Sequence, residues 1–208
     1  MCNDLNDKIF EFVYSAALGD AVNQKAFEGE KKFLFVEKPA CNEIRSFIDK
    51  ILKGEFDDQA AYDTEHHTLT TAVMTAFKKC IDSNKNTNNK NPVFTFGNAQ
   101  KLINMCAKYV FTATYCNPEL TEKFKYCHMP LDSYIIEDWI CMWTKDVKKS
   151  VKWSKLEEGA YKNIQNLIRN RLKDKSISCL EAEFTVWEQA KERRSKKRVD
   201  KKNYTFIY

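Results

Sequence analysis

The chain contains 208 residues, of which 43% are hydrophobic and 30% are charged, a balance too apolar for a generally disordered protein. With only 5 glycines and 4 prolines, the composition argues against an all-β fold of many short strands joined by tight turns. We expect one α-helical domain over 1–208, an irregular bundle of about six or seven amphipathic helices around a central apolar helix. The Asn-rich stretch at 82–93 lacks apolar periodicity and predicts a polar surface loop between the two halves of the chain.

Charge is distributed unevenly along the chain, although the net charge is only +5. Residues 1–104 carry a net charge of −2, and residues 105–208 carry a net charge of +7. A basic half favours an anionic partner, either nucleic acid or a nucleotide-type ligand. The acidic N-terminus without a long apolar run predicts a cytoplasmic protein with reduced cysteines. No stretch reaches the roughly 18 apolar residues that span a bilayer, so we expect no membrane insertion.

Apolar residues at helical spacing predict three helices in the N-terminal half. The run "FLFV" at 33–36 follows the first of them and could form one short extended strand. Asn42 is expected to cap the second helix and Gly54 to end it, because glycine tolerates the left-handed conformation that closes helices. Asp57 or Asp58 is expected to open the third helix.

The C-terminal half carries three signals for the starts of helices. Asp132 or Ser133 is a candidate N-cap for a helix whose apolar stripe extends to Val147. Ser154 with Glu157 and Ser178 with Glu181 each match the Ser-x-x-Glu capping box, which predicts a helix start at each pair. The last helix is expected to end in a basic run and an aromatic tail over 191–208.

The stretch "FTFGNAQKLINMCAKYVFTATY" predicts the central helix, because it is apolar nearly all round. Its polar residues fall on one narrow stripe, which allows two interpretations. The stripe could be a strip of surface from which the lysines reach water. It could instead line a cleft that binds an anionic or amide-bearing ligand, with a glycine turn exposing N–H groups just before it. The candidate ligand-binding residues are Gly97, Gln100, Lys101, Asn104 and Lys108.

Two histidine positions are candidates for catalysis. His66 lies on the apolar stripe of its helix, where it is either a hydrogen-bonded core residue or a general base. His128 lies in "YCHMPLDS" close to Asp132, and these two would form the first pair to test in a hydrolase or nuclease. No metal-ligand spacing, phosphate-binding glycine loop or other cofactor motif is present, so neither a metal nor a cofactor is predicted.

Basic segments in the C-terminal half supply the main functional signal. Lysines cluster around two tryptophans near residue 150, and exposed aromatic rings beside lysines suit nucleic acid. The same residues could also form an ordinary solvated helix end. We expect a non-catalytic helical module that binds an anionic partner; the alternatives are a protein-interaction surface, including the aromatic tail, and a small hydrolase. The candidate anion-binding residues are Lys148, Lys149, Lys152, Arg193 and Arg194.

Overall fold

Helices form the regular structure of the residues that the computed structural model describes, which are 2–22, 31–84, 93–148 and 150–205. Within these ranges there is no strand, so the predicted all-α fold is confirmed. The N-terminal helices are α1 (Cys2–Ala21), α2 (Lys31–Glu37), α3 (Cys41–Lys53), α4 (Gln59–Ser83), α5 (Phe96–Thr114) and α6 (Pro118–Glu122). Residues 85–92 of the predicted polar loop lie outside the described residues.

The second half of the chain is more irregular. It contains α7 (Ser133–Ile135), a π-helical turn (Ile136–Ile140), α8 (Cys141–Trp143), a 3₁₀ turn (Trp153–Lys155), α9 (Glu158–Leu172) and α10 (Cys179–Thr205). None of the helices in the described ranges combines the length and the apolar character needed to cross a membrane.

The extended strand suggested for 33–36 is wrong, because these residues belong to α2. Leu34 is completely buried, whereas Val36 is 73% exposed. Phe33 and Phe35 are partly buried and pack against the core beside Leu34. A run of four apolar residues cannot distinguish a strand from one side of a short helix, and packing against the core decided the outcome.

The helix starts in the N-terminal half agree only in part with the sequence. The Asp58 side chain accepts a hydrogen bond from the Ala61 amide at 2.8 Å and caps α4 as predicted. Gly54 closes α3 with φ of 72°, also as predicted. Asn42 does not cap α3, because the helix already begins at Cys41 behind a left-handed Ala40.

The two predicted capping boxes have different outcomes. Ser178 and Glu181 exchange hydrogen bonds, with the Ser178 amide donating to Glu181 at 2.7 Å, so this box is confirmed. The box at Ser154 and Glu157 is wrong, since Ser154 lies in the 3₁₀ turn and α9 begins one residue after Glu157. The carbonyl of Ser154 accepts a hydrogen bond from Thr95 instead, which ties the turn to α5.

Helix α5 is the central element, as expected. Its start is capped by Thr95, which exchanges hydrogen bonds with Asn98, and its residues from Gly97 to Ala107 are all buried. One apolar cluster covers it with side chains of α1, α3 and α4. A second cluster gathers the apolar residues of α7 to α10, and Phe96 at the start of α5 packs against it.

The helix predicted to extend to Val147 ends at Trp143, and its middle is a π-helical turn. Two arginines of α10 bind carbonyls of this segment: Arg193 donates to Asp138 O at 3.1 Å and Arg194 donates to Ser133 O at 2.8 Å. Carbonyls occupied by side chains favour a wider turn over a regular helix.

Candidate functional site

The polar residues of α5 are divided between two places. Gln100 and Asn104 are completely buried, so at these positions the stripe does not face water. Lys108 forms an ion pair with Glu183 of α10, with 2.5 Å between Nζ and Oε2. Lys101 is only 8% exposed, and its ammonium lies 4.3 Å from the centre of the Trp153 ring. The two amides and the two lysines therefore belong to different environments.

The buried amides join a polar network between the two apolar clusters. His66 Nε2 lies 2.9 Å from Asn104 Oδ1. Asn104 Nδ2 donates to Gln100 Oε1 at 3.0 Å and to the Tyr161 hydroxyl at 2.9 Å. Gln100 in turn donates to the Gly97 carbonyl at 2.8 Å. These bonds offset the cost of burying amide groups, which without partners would be several kcal/mol.

His128 connects this network to the surface. Its Nδ1 lies 2.7 Å from the Tyr161 hydroxyl, and its Nε2 lies 2.7 Å from Asp63 Oδ1. Arg169 donates to both oxygens of Asp63, at 3.2 and 3.0 Å. The rings of His66 and His128 are 4.5 Å apart between centroids. Two of the three catalytic candidates named from the sequence are therefore neighbours.

The chemistry of the bonded atoms determines which group donates in each hydrogen bond of the network. Asn104 Nδ2 can only donate, so the Tyr161 oxygen accepts from it and its own proton points to His128 Nδ1. The remaining ring proton of His128 is then on Nε2 and faces Asp63. This assignment is inferred from the partner groups, as is usual for hydrogen positions. Asp63, His128 and Tyr161 thus form a carboxylate–imidazole–hydroxyl series.

Burial controls the ionisation of these groups. Burial and the neighbouring His128 lower the pKa of His66 well below its ordinary value. Burial also lowers the pKa of His128, and Asp63 opposes that effect only in part. Both imidazoles are therefore neutral at pH 7. Partial burial alone would raise the pKa of Asp63, but the interaction with His128, the hydrogen bond from Gln59 and the charge of Arg169 outweigh it and lower the pKa to about 2.

A small cavity lies beside the network, between α4 and α9. Its volume is about 20 Å³, which suits one water molecule and no larger ligand. The cavity walls include both buried histidines, Tyr161 and Gln165, and Arg169 and the partly exposed His67 lie toward the surface. Glu158 lies 3.3 Å from His67 Nδ1. In this conformation the site has chemistry for proton transfer but no room for a substrate.

Asp132 is not the partner of His128. Its carboxylate accepts the Ile135 amide at 2.9 Å and caps α7, as its position before that helix predicted. The carboxylate beside His128 comes from Asp63 on α4, 65 residues earlier in the chain. Side chains that are distant in sequence met here, so spacing alone could not identify the pair.

Sequence reasoning missed three contributors from α9. Tyr161, Gln165 and Arg169 recur at intervals of four residues, which places them on one face of the helix. Gln165 exchanges hydrogen bonds with the backbone of Met129, at 2.8 and 3.2 Å, and so fixes the segment that carries His128. A polar row at helical spacing beside an apolar stripe was the signal that could have revealed them.

Gly97 has a packing contact where a ligand contact was suggested. A Cβ atom at this position would lie 2.2 Å from the carbonyl oxygen of Trp153. The missing side chain therefore lets the 3₁₀ turn approach α5 closely. The same approach brings the Trp153 ring over Lys101.

The connection over 144–155, called here the lysine segment, carries a group of exposed lysines. Its described lysines are all exposed and have no ion-pair partner among the described residues. Asp146, the carboxylate of the segment, accepts a hydrogen bond from Thr144 at 2.9 Å. Lys149 lies outside the described residues. The exposed members are Lys145, Lys148, Lys152 and Lys155.

Arg193 and Arg194 are partly buried and point toward α7 and α8. Arg194 pairs with Glu137 and Asp138, donates to the Ser133 carbonyl, and lies over the Tyr134 ring at 4.1 Å. Arg193 contacts the same segment through a backbone carbonyl. Side chains of the aromatic tail lie outside the described residues.

No known protein family, curated protein or solved structure matches this chain. Nor does any group of three or more His, Cys, Asp or Glu side chains in the described ranges have the arrangement to hold a metal ion.

Proposed function

We propose that the protein is a non-catalytic module that binds nucleic acid through the lysine segment. The observation that supports it most is the set of four exposed lysines with no ion-pair partner among the described residues. Lysines that are not neutralised by the protein retain their attraction for phosphates and release counterions on binding. Arg193 and Arg194 contribute to folding in this proposal and not to binding.

The distribution of the lysines favours a polyanion over a single nucleotide. Lys145 and Lys155 are ten residues apart along a connection with little regular structure. One nucleotide phosphate is too small to contact all four ammonium groups, whereas successive phosphates of a strand can engage several of them.

Salt dependence tests the proposal. Binding to a fluorescein-labelled oligo(dT) of about 20 nucleotides would be followed by anisotropy at several salt concentrations. Four phosphate contacts predict a slope of about −2.8 in log K against log salt, or an affinity loss of about 50-fold between about 50 and 200 mM salt. The double variant Lys152→Gln, Lys155→Gln should reduce the slope to about −1.4.

The matched control is Lys78→Gln, Lys79→Gln, which removes the same charge from two exposed lysines of α4. It should leave the slope close to the wild-type value. Equal effects of the two double variants would mean that binding depends only on net charge, and the proposal would be rejected. Absence of oligonucleotide binding at low salt would also reject it.

A second candidate function is hydrolysis by acid–base catalysis, and the observation in its favour is the Asp63–His128–Tyr161 series beside a water-sized cavity. The His128 imidazole, which the Asp63 carboxylate orients, can take the Tyr161 proton, and the Tyr161 oxygen can in turn take a proton from a water molecule in the cavity, which is the relay of a general-base site. Substrate entry would require α4 and α9 to separate.

Hydrolysis of bis(p-nitrophenyl) phosphate would test this second function. His128→Gln should abolish turnover, whereas Asp132→Asn should not affect it, because asparagine is also a good N-cap. Equal loss in both variants would point to unfolding, which circular dichroism would detect. No turnover by the wild-type protein would eliminate this candidate.

A further inference from the structure

His66 and His128 form a pair of buried imidazoles at the junction of α4, α5 and α9. Their side chains are almost inaccessible, with 1% and 5% of their surfaces exposed. Asn104 of α5 binds His66, and Tyr161 of α9 binds His128 and stacks on His66 with centroids 5.8 Å apart. The pair therefore connects three helices through hydrogen bonds that require one particular protonation state of each ring.

We propose that the His66–His128 pair is an acid-sensitive latch, which holds α9 against α4 and α5 at neutral pH and releases it when the pair takes up protons. The inference is independent of the proposed nucleic-acid binding, because the lysine segment plays no part in it.

The surroundings of the pair have too little negative charge for two protonated rings. From α4, Tyr62 and Asp63 face the pair, and His67 lines the cavity. From α9, Tyr161, Lys162 and Arg169 do so, and the Glu158 carboxylate contacts the surface histidine and Lys162. Asp63 is the one carboxylate in the described ranges that contacts either buried ring, and Arg169 already neutralises it.

Protonation would also disrupt the direction of the hydrogen bonds. A second proton on His128 would be added at Nδ1, which now accepts from the Tyr161 hydroxyl. The phenol oxygen would then face two donors, Asn104 and His128, and its own proton would lose its acceptor. A second proton on His66 would be added at Nδ1, where only Thr70 Oγ1 is near, at 3.5 Å. A buried charge without a good partner is costly.

The pKa directions of the two histidines agree with this geometry, since burial lowers both. The unfolded chain would take up protons on these residues below about pH 6.5, whereas the folded chain would not. The stabilisation of the folded state that is linked to each neutral histidine is fully present above that pH and is lost as the pH falls. At pH 5.5 each histidine that stays neutral raises the unfolding equilibrium constant by about 11-fold relative to high pH.

Urea unfolding at pH 7.5 and 5.5 tests the latch, with His66→Gln as the main variant. Glutamine can still donate to Asn104 but cannot take up a proton in this range. The ratio of the unfolding equilibrium constant at pH 5.5 to that at pH 7.5 should be about 10-fold smaller in this variant than in the wild type. His67→Gln removes the adjacent, partly exposed histidine and should retain the wild-type dependence. Identical pH dependence in wild type and His66→Gln would overturn the proposal.

Measurements on the wild-type protein decide the question even if His66→Gln does not fold. The NMR signal of the His66 ring should not titrate between pH 7.5 and 5.5 while the protein stays folded, and a transition near pH 6.5 would contradict the latch. Hydrogen exchange of α9, corrected for intrinsic rates, should accelerate at pH 5.5 more than that of α1, whose described side chains contact neither histidine ring. Equal acceleration in both helices would contradict release at this junction.

Discussion

Gly97→Ala should destabilise the protein, although alanine is the better helix former. In an open helical position the substitution stabilises by about 0.5–1 kcal/mol. At Gly97 the new Cβ would lie 2.2 Å from the Trp153 carbonyl oxygen and 2.9 Å from the carbonyl carbon of Ser154. Contacts this short cannot persist, so the 3₁₀ turn would have to move away from α5 by about 1 Å.

The displacement has a calculable cost. Overpacking against backbone costs about 1–3 kcal/mol, and losing the 2.6 Å hydrogen bond from Thr95 to the Ser154 carbonyl costs about 1 kcal/mol more. After the gain in helix propensity is subtracted, we expect a net loss of about 2 kcal/mol. The cation–π contact between Lys101 and Trp153 would weaken as well.

Urea unfolding monitored by tryptophan fluorescence would measure this loss, and Gly159→Ala is the matched control. A Cβ at Gly159 in α9 meets no atom within 4 Å, so the same substitution should stabilise the protein there by about 0.5 kcal/mol. Opposite signs at the two glycines are the expected result. A Gly97→Ala variant as stable as wild type would refute the close approach of the 3₁₀ turn to α5.

Three further outcomes follow from the polar contacts. Tyr161→Phe should cost about 1–2 kcal/mol in urea unfolding, because His128 Nδ1 loses its hydrogen-bond partner inside the core; an unchanged midpoint would contradict this buried hydrogen bond. Arg194→Gln should cost about 1–2 kcal/mol by removing the hydrogen bonds from Arg194 to the Asp138 carboxylate and the Ser133 carbonyl, yet oligonucleotide affinity per folded molecule should not change. The pKa of Asp63 is lowered in the folded protein, so this residue stabilises the fold above about pH 4, and the stabilisation is lost toward pH 2. After allowance for the 33% exposure of the side chain, its contribution to the free energy of unfolding is about 1 kcal/mol. Asp63→Asn should therefore make the free energy of unfolding depend less on pH between about pH 4 and 2.

The candidate site was predictable in its types of residue but not in its pairing. His66 was expected either as a hydrogen-bonded core residue or as a general base, and it is hydrogen-bonded in the core. His128 was expected to pair with a carboxylate, but the nearby Asp132 serves as a helix cap and the distant Asp63 fills that position. Local spacing reports which residues share a helix face, and it contains no information about which faces meet.

Sequence by itself determined the helical class, the central helix and the caps at Asp57 or Asp58 and at Ser178, because these depend on periodicity and on bonds within a few residues. Only the tertiary structure decided that "FLFV" is helical, that α7 and α8 are separated by a π-helical turn, and that Asn104 of α5 faces His66 and Tyr161 rather than water. Each of these outcomes depends on groups brought together from distant parts of the chain. The free energy of burying Gln100 and Asn104 depends on those partners, which explains why a polar stripe could be read from the sequence but its surroundings could not.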